Sequence, residues 1–235
     1  MAVYTVLEMT QNILNALDSD NVNSIDDTVE SIQVAEIIKE TYFELISQRD
    51  WPFLYTLGKL IALGDVNTPT KMRMETAWNK IKWIRYNKKE VEYLSPDDFT
   101  NLLDGRTEQS NVTNSDGIGL NRDPTYWTSY DDDYIMFDSY DSTAESTLSA
   151  SKTNVYVTLT PTWSHIDTFT PDIPEKFFPM FIAEAKAQAF VNLKQQSNAR
   201  EERKAQRGRT LMRNEAWNKD YDETKYNTKV NYGRK

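Results

Sequence analysis

The residues best suited to chemistry are Asp131, Asp132 and Asp133, the single histidine His165, and a run of arginines at Arg200, Arg203 and Arg207. Three adjacent carboxylates could hold Mg²⁺ or Ca²⁺ and support metal-dependent nuclease chemistry. Neighbours on a strand point to opposite faces, so the triplet converges on one ion only if the backbone curls there. A solvated hairpin turn explains the same residues without a ligand. His165, in Trp163-Ser164-His165-Ile166-Asp167, would have to serve any Ser/His/Asp triad, and no serine stands in a nucleophile-elbow string. It reads as a surface or loop histidine. With no cysteine and one histidine, zinc sites built on nitrogen and sulfur ligands are excluded within one chain. Seven glycines fall in no G-x-G-x-x-G or Walker A pattern, so no phosphate cradle of those kinds is expected, and no cofactor. The arginines, with Lys204, lie at i, i+3 and i+4 spacing and could meet a nucleic-acid backbone or an acidic partner. A net charge of −9 argues against a dedicated DNA binder.

Charge is polarised along the chain. Residues 110–150 hold eight acidic residues against Arg122 alone, whereas 199–235 hold eleven Lys/Arg against six Asp/Glu. This pattern suggests two surfaces with different partners. Aromatic residues make up 12% of the chain, with 13 Tyr and 6 Trp, which argues for a folded chain and suits partner-binding surfaces. The absence of cysteine favours a cytosolic or virion setting. No run of 18 apolar residues occurs, and no signal-peptide pattern opens the sequence, so no membrane association is expected.

The elements that must position these residues follow from periodicity. Val6, Met9, Ile13, Leu14 and Leu17 predict a helix over about 5–17, opened by a capping box of Thr5 and Glu8. Ile32, Ala35, Ile38, Tyr42, Leu45 and Ile46 predict a second over about 28–49, with Asp27 and Glu30 as its box and Pro52 ending it. Residues 53–94 are rich in β-favouring types, and Trp78 to Tyr86 partly alternates. A short helix starts at Ser95-Pro96. Pro124 to Asp138 reads as strand, acidic turn, strand, and Val155 to Thr160 as a further strand. A third long helix begins near Pro174, with Asp172 and Glu175 capping it and Phe178, Phe181, Ile182, Ala185, Ala189 and Leu193 facing inward. Pro179 is expected to kink its first turns. A basic fourth helix covers about 199–217, anchored by Ala205, Leu211, Met212, Ala216 and Trp217. Residues 218–235 carry Tyr221, Tyr226 and Tyr232 among polar residues, with Val230 the single aliphatic. Such a segment builds no core by itself and is expected to order on a partner.

The expected fold class is α+β: a small helical bundle from both chain ends, residues 1–52 and 173–217, an inserted antiparallel β-rich module over 53–172, and an extended C-terminal arm over 218–235. This organisation resembles the podovirus head-to-tail adaptors, the tail tubular protein A group among them. The resemblance rests on Arg49-Asp50-Trp51-Pro52-Phe53 closing the helix pair, and on Tyr126-Trp127 and Ile135-Met136-Phe137-Asp138 flanking an acidic turn. It also rests on Asp172-Ile173-Pro174-Glu175-Lys176-Phe177 opening the Ala-rich helix, and on the charged helix and polar arm at the end. It implies a structural virion protein of the neck, not an enzyme. Such a protein forms a twelve-subunit ring between portal and tail nozzle and encloses the channel through which genomic DNA passes without sequence-specific binding. The arm, with Tyr221, Tyr226, Lys229, Val230, Tyr232 and Arg234, would bind the portal. Arg200, Arg203 and Arg207 would face the ring or portal, and Asp131, Asp132 and Asp133 the tail side. The other readings are a different neck or nozzle ring protein, and a nuclease built on the Asp triplet.

Overall fold

The computed structural model describes residues 3–107, 121–131 and 133–227, with the side chains of Thr107 and of 217–227 outside that description. The fold is mixed α+β, and the chain divides into two compact units. One comprises residues 1–54 and 161–235, the other Tyr55–Thr160.

The first unit is helical. α1 (Val6–Ala16) opens with the expected capping box, Glu8 N–H donating to Thr5 Oγ1 at 3.2 Å and Thr5 N–H to Glu8 Oε2 at 2.8 Å. α2 (Val29–Ser47) is capped one residue later than expected, by Thr28 and Ser31. Asp27 turns back instead to accept from the Asn23 and Ser24 amides, and Glu30 accepts from the Ser19 hydroxyl. A 3₁₀ turn over Glu175–Phe177 leads into the third helix, which carries no side-chain cap. Pro179 stands in its first turn, where its missing N–H has no helical acceptor to lose, so it starts the helix rather than kinking it. Residues 161–172, expected with the β module, belong to the helical unit. Their backbone closes α1, with Val6 N–H donating to Phe169 O at 2.8 Å and Leu7 N–H to Asp167 O at 3.2 Å. Asp167 also accepts from the Ile25 amide at 2.9 Å, while Trp163 and Phe169 pack on the helical core.

That third long helix is α4 once the short α3 (Pro96–Thr107) of the other unit is counted; α4 spans Phe178–Lys194. Gln195 ends it in the left-handed region at φ 53°. α5 (Ala199–Asn227) returns along α4. α4 also meets α1 and α2, and its alanines Ala185 and Ala189 are buried with Phe178, Phe181 and Ile182 in one core. α5 contributes Ala205, Gly208, Met212 and Ala216 at spacings of three and four, and a methyl group on Gly208 would stand 2.3 Å from Met180 Cγ. Leu211 falls off that stripe and is 67% exposed, contrary to its expected role as an anchor. Residues 218–227, expected in the extended arm, continue α5 as helix; 228–235 lie outside the described residues.

The second unit is an eight-stranded sheet: β1 (Tyr55–Gly58), β2 (Ile61–Ala62), β3 (Lys71–Arg73), β4 (Trp78–Tyr86), β5 (Lys89–Tyr93), β6 (Tyr126–Thr128), β7 (Tyr134–Phe137) and β8 (Thr153–Leu159). Their order is β1-β8-β4-β5-β6-β7-β3-β2. Two register shifts on β4 against β8 explain why its sequence alternates only in part. The sheet is mixed, not antiparallel throughout. β5 and β6 run parallel, Tyr93 opposite Trp127, because α3 lies between them and carries the chain back before it re-enters the sheet. Ile84, Val155, Val157, Ile135, Phe137 and Met72 fill the core. On the opposite face Trp83 stacks on Tyr156 at 5.6 Å, with Tyr55 edge-on to Tyr156 at 5.3 Å.

Candidate functional site

Of the acidic triplet, Asp131 and Asp133 are among the described residues. Asp131 Oδ1 accepts from the Tyr134 amide at 2.9 Å and the Asp133 amide at 3.3 Å, so its carboxylate shapes the turn between β6 and β7. Asp133 contributes its carbonyl to the Met74 amide, and Asp132 lies outside the described residues. No group of three His, Asp or Glu side chains among the described residues could hold a metal ion.

One carboxylate that gathers a dense set of donors is Asp138, fully buried just past β7. Its Oδ1 accepts from the Thr125 and Tyr126 amides at 2.7 and 2.8 Å. Oδ2 accepts from Arg106 at 2.7 Å and lies 3.5 Å from Arg122, and the Asp138 carbonyl accepts a second Arg106 hydrogen bond at 2.9 Å. A buried carboxylate is tolerated only when charge and lone pairs are both matched, as here. The clasp ties the end of α3 to the start of β6. Arg106 had no assigned role in the sequence, although it is the one cation on a helix whose other charged residues, Asp97, Asp98 and Asp104, are acidic.

His165 lies 4.0 Å from Asp26 and 3.8 Å from Glu36, and is partly exposed. It thus sits between two carboxylates.

The helical unit carries a cleft of about 80 Å³ lined by Trp51, Pro52, Phe53, Pro174, Phe177, Met212 and Ala216, with Lys176 and Glu215 paired at its edge. Trp51 is buried, its indole N–H donating to Leu45 O at 2.9 Å, and its ring stacks with Phe53 at 6.1 Å. Two of the segments behind the family resemblance, Trp51-Pro52-Phe53 and Pro174 to Phe177, therefore meet at one place beside α5. The signal for this in the sequence is a pair of proline–aromatic strings, each at a helix boundary.

α5 sorts its cations. Arg209 turns inward, 2.6 Å from Glu184 and 3.6 Å from Glu44, joining α5 to α4 and α2. Burial raises the Glu184 carboxyl above its usual range, Arg209 opposing and Glu44 reinforcing that shift. Arg213 reaches Gln48 at 3.4 Å. Arg200, Arg203 and Arg207 stay outside, exposed along one side of the helix, and make no ion pair among the described residues. Tyr221 and Tyr226 lie on the helical continuation of α5, while Lys229, Val230, Tyr232 and Arg234 are outside the described residues. No protein-family model matches the chain, and no curated protein matches it.

Proposed function

We propose that this chain is a structural head-to-tail adaptor of a tailed phage: a subunit whose small helical bundle, with others like it, forms a ring joining portal to tail nozzle around the DNA channel. The reading rests first on the resemblance of its sequence segments to the podovirus adaptors. The observation that carries it structurally is the helical unit assembled from both chain ends, into which Tyr55–Thr160 is inserted as a sheet. The two ends meet at the Trp51–Phe177 cleft, from which α5 runs on to Asn227. The residues with chemical capacity, Asp131 and Asp138, are bound to backbone amides, which suits a scaffold. In this reading the final residues, with Tyr221, Tyr226 and Tyr232, dock on the portal.

The test is portal binding by the full chain and by a chain lacking 219–235, using the portal protein of the same phage. The truncated chain loses the last nine helical residues of α5, and should keep the helical circular dichroism of the rest and bind at least about tenfold more weakly, since each tenfold is about 1.4 kcal/mol. Equal affinity for the two chains removes the arm from the interface.

A further inference from the structure

We infer that α2 and α5 form the two halves of a head-to-tail contact between copies of this chain, the acidic outer face of α2 in one copy covering the basic outer face of α5 in the next. The inference deepens the ring reading and rests on it for closure of the contact into a ring; the pairing of the two faces rests on the surfaces themselves.

The outer face of α2 presents Glu36 and Glu40, flanked by Ile32, 40% exposed, and Phe43, 38% exposed; Val29 at its start is 75% exposed. Lys39 is the sole cation on α2, and it pairs with Glu36 of its own helix at 3.1 Å. The outer face of α5 presents Arg200, Arg203 and Arg207, then Leu211. Both helices belong to the same compact unit.

The spacings match as well as the signs. Glu36 and Glu40 are one helical turn apart, and so are Arg203 and Arg207. With the two helices antiparallel, a single register sets Glu36 against Arg207 and Glu40 against Arg203. That same register places Ile32 on Leu211, the exposed aliphatic of α5, and Phe43 beneath Arg200, a cation over an aromatic face. Gln33 meets Thr210. The like-charge approach in this register, Lys39 with Lys204, falls at the rim, and each lysine already pairs with a carboxylate of its own chain, Glu36 and Glu201. The two faces differ, so each copy keeps one free half after pairing, and the contact propagates from copy to copy. Pairs of this kind at a solvated face are weak and screened by salt, which makes assembly sensitive to ionic strength.

The chain has no cysteine, so introduced thiols report alone. Ile32→Cys and Leu211→Cys chains, each full length and checked by circular dichroism, are oxidised separately and as a mixture at low salt. The mixed disulfide should exceed either homodisulfide by roughly tenfold or more, because docking raises the local concentration of the unlike thiols only. High salt should abolish the excess. So should Glu36→Arg with Glu40→Arg in the α2 chain, and Arg203→Glu with Arg207→Glu in the α5 chain should restore it. The double variant carrying both cysteines should give covalent species longer than dimers. Homodisulfides as abundant as the mixed one, an excess that survives charge reversal, or a double variant that stops at dimers would each overturn the inference. A chain that binds portal through 219–235 without the mixed disulfide keeps the adaptor reading and loses this interface. A chain that cross-links as stated but ignores portal keeps the interface and loses the adaptor reading.

Discussion

Replacing Asp138 with alanine should unfasten the second unit at one known place. The substitution removes the acceptor of the Thr125 and Tyr126 amides and strands the Arg106 guanidinium, whose side chain is only 11% exposed. Breaking a buried pair by deleting one member costs about 3–5 kcal/mol, because the survivor is left charged and dry. Each orphaned amide has its own cost of about 1–3 kcal/mol, and these terms overlap rather than add. A total near 4 kcal/mol is a large share of the roughly 5–15 kcal/mol that holds an ordinary domain. For a unit of roughly a hundred residues, each kcal/mol moves the melting temperature by about 4–5 °C. Arg106→Met should cost less, since the carboxylate keeps its two amide donors and Arg122 nearby. Two units can melt separately, so the decisive assay is amide hydrogen exchange resolved to Thr125 and Tyr126. Their protection should collapse in Asp138→Ala while the amides of α2 and α4 keep theirs. A loss below about 1 kcal/mol with those two amides still protected would refute the clasp, because it would mean that the charge is compensated elsewhere.

Gly208→Ala should destabilise the helical unit by about 1–3 kcal/mol, since the new methyl meets Met180 at the α4–α5 contact, and urea denaturation should show this while Leu211→Ser leaves the midpoint nearly unchanged. Stability should also fall on the alkaline side. Burial pushes the hydroxyls of Tyr42 and Tyr86 up to about 12; at Tyr42 the Asp172 charge adds to the shift and a hydrogen bond with the Asp172 backbone opposes it, and at Tyr86 the Ser149 amide opposes it and Glu145 adds to it. The folded chain then keeps protons that the unfolded chain releases, so stability is intact below about pH 10 and drains away toward pH 12, by about 2–3 kcal/mol per tyrosine. Tyr42→Phe and Tyr86→Phe should flatten that decline when urea midpoints are measured across the window.

What the sequence displays is what local periodicity encodes. The Thr5–Glu8 box, the inward face of α4 and the apolar stripe of α2 are all short-range patterns, and they stand in the structure where they are expected, except that Ile32, expected in the α2 stripe, is 40% exposed. Where two caps compete, the local pattern is insufficient: Asp27 is claimed by the Asn23 and Ser24 amides, and Thr28 takes its place. Residues 161–172 have no period of their own, so their membership in the helical unit is decided by the unfilled amides of α1 and by Ile25. The Arg106–Asp138 clasp spans 32 positions with no repeat between them. The parallel entry of β6 depends on α3 and the long connection after it, a matter of chain path rather than of residue type.

The segregation of outward charge is the feature that most needs a cause. Like charges one helical turn apart destabilise a helix by about 0.2–0.5 kcal/mol per pair. Arg203 with Arg207 on α5, and Glu36 with Glu40 on α2, each carry that penalty. Other cations of the same helix show what relief looks like: the inward Arg209 has Glu184 and Glu44, and the exposed Lys204 has Glu201. Glu36 has partial relief from Lys39, while Arg203 and Arg207 have no carboxylate partner among the described residues. A chain with 36 acidic residues has ample means to place one beside them, and none of the described ones stands there. Opposed faces of matched spacing on the same unit would remove both penalties at once if one copy met the next as inferred above, and a contact that removes them only between copies would specify assembly.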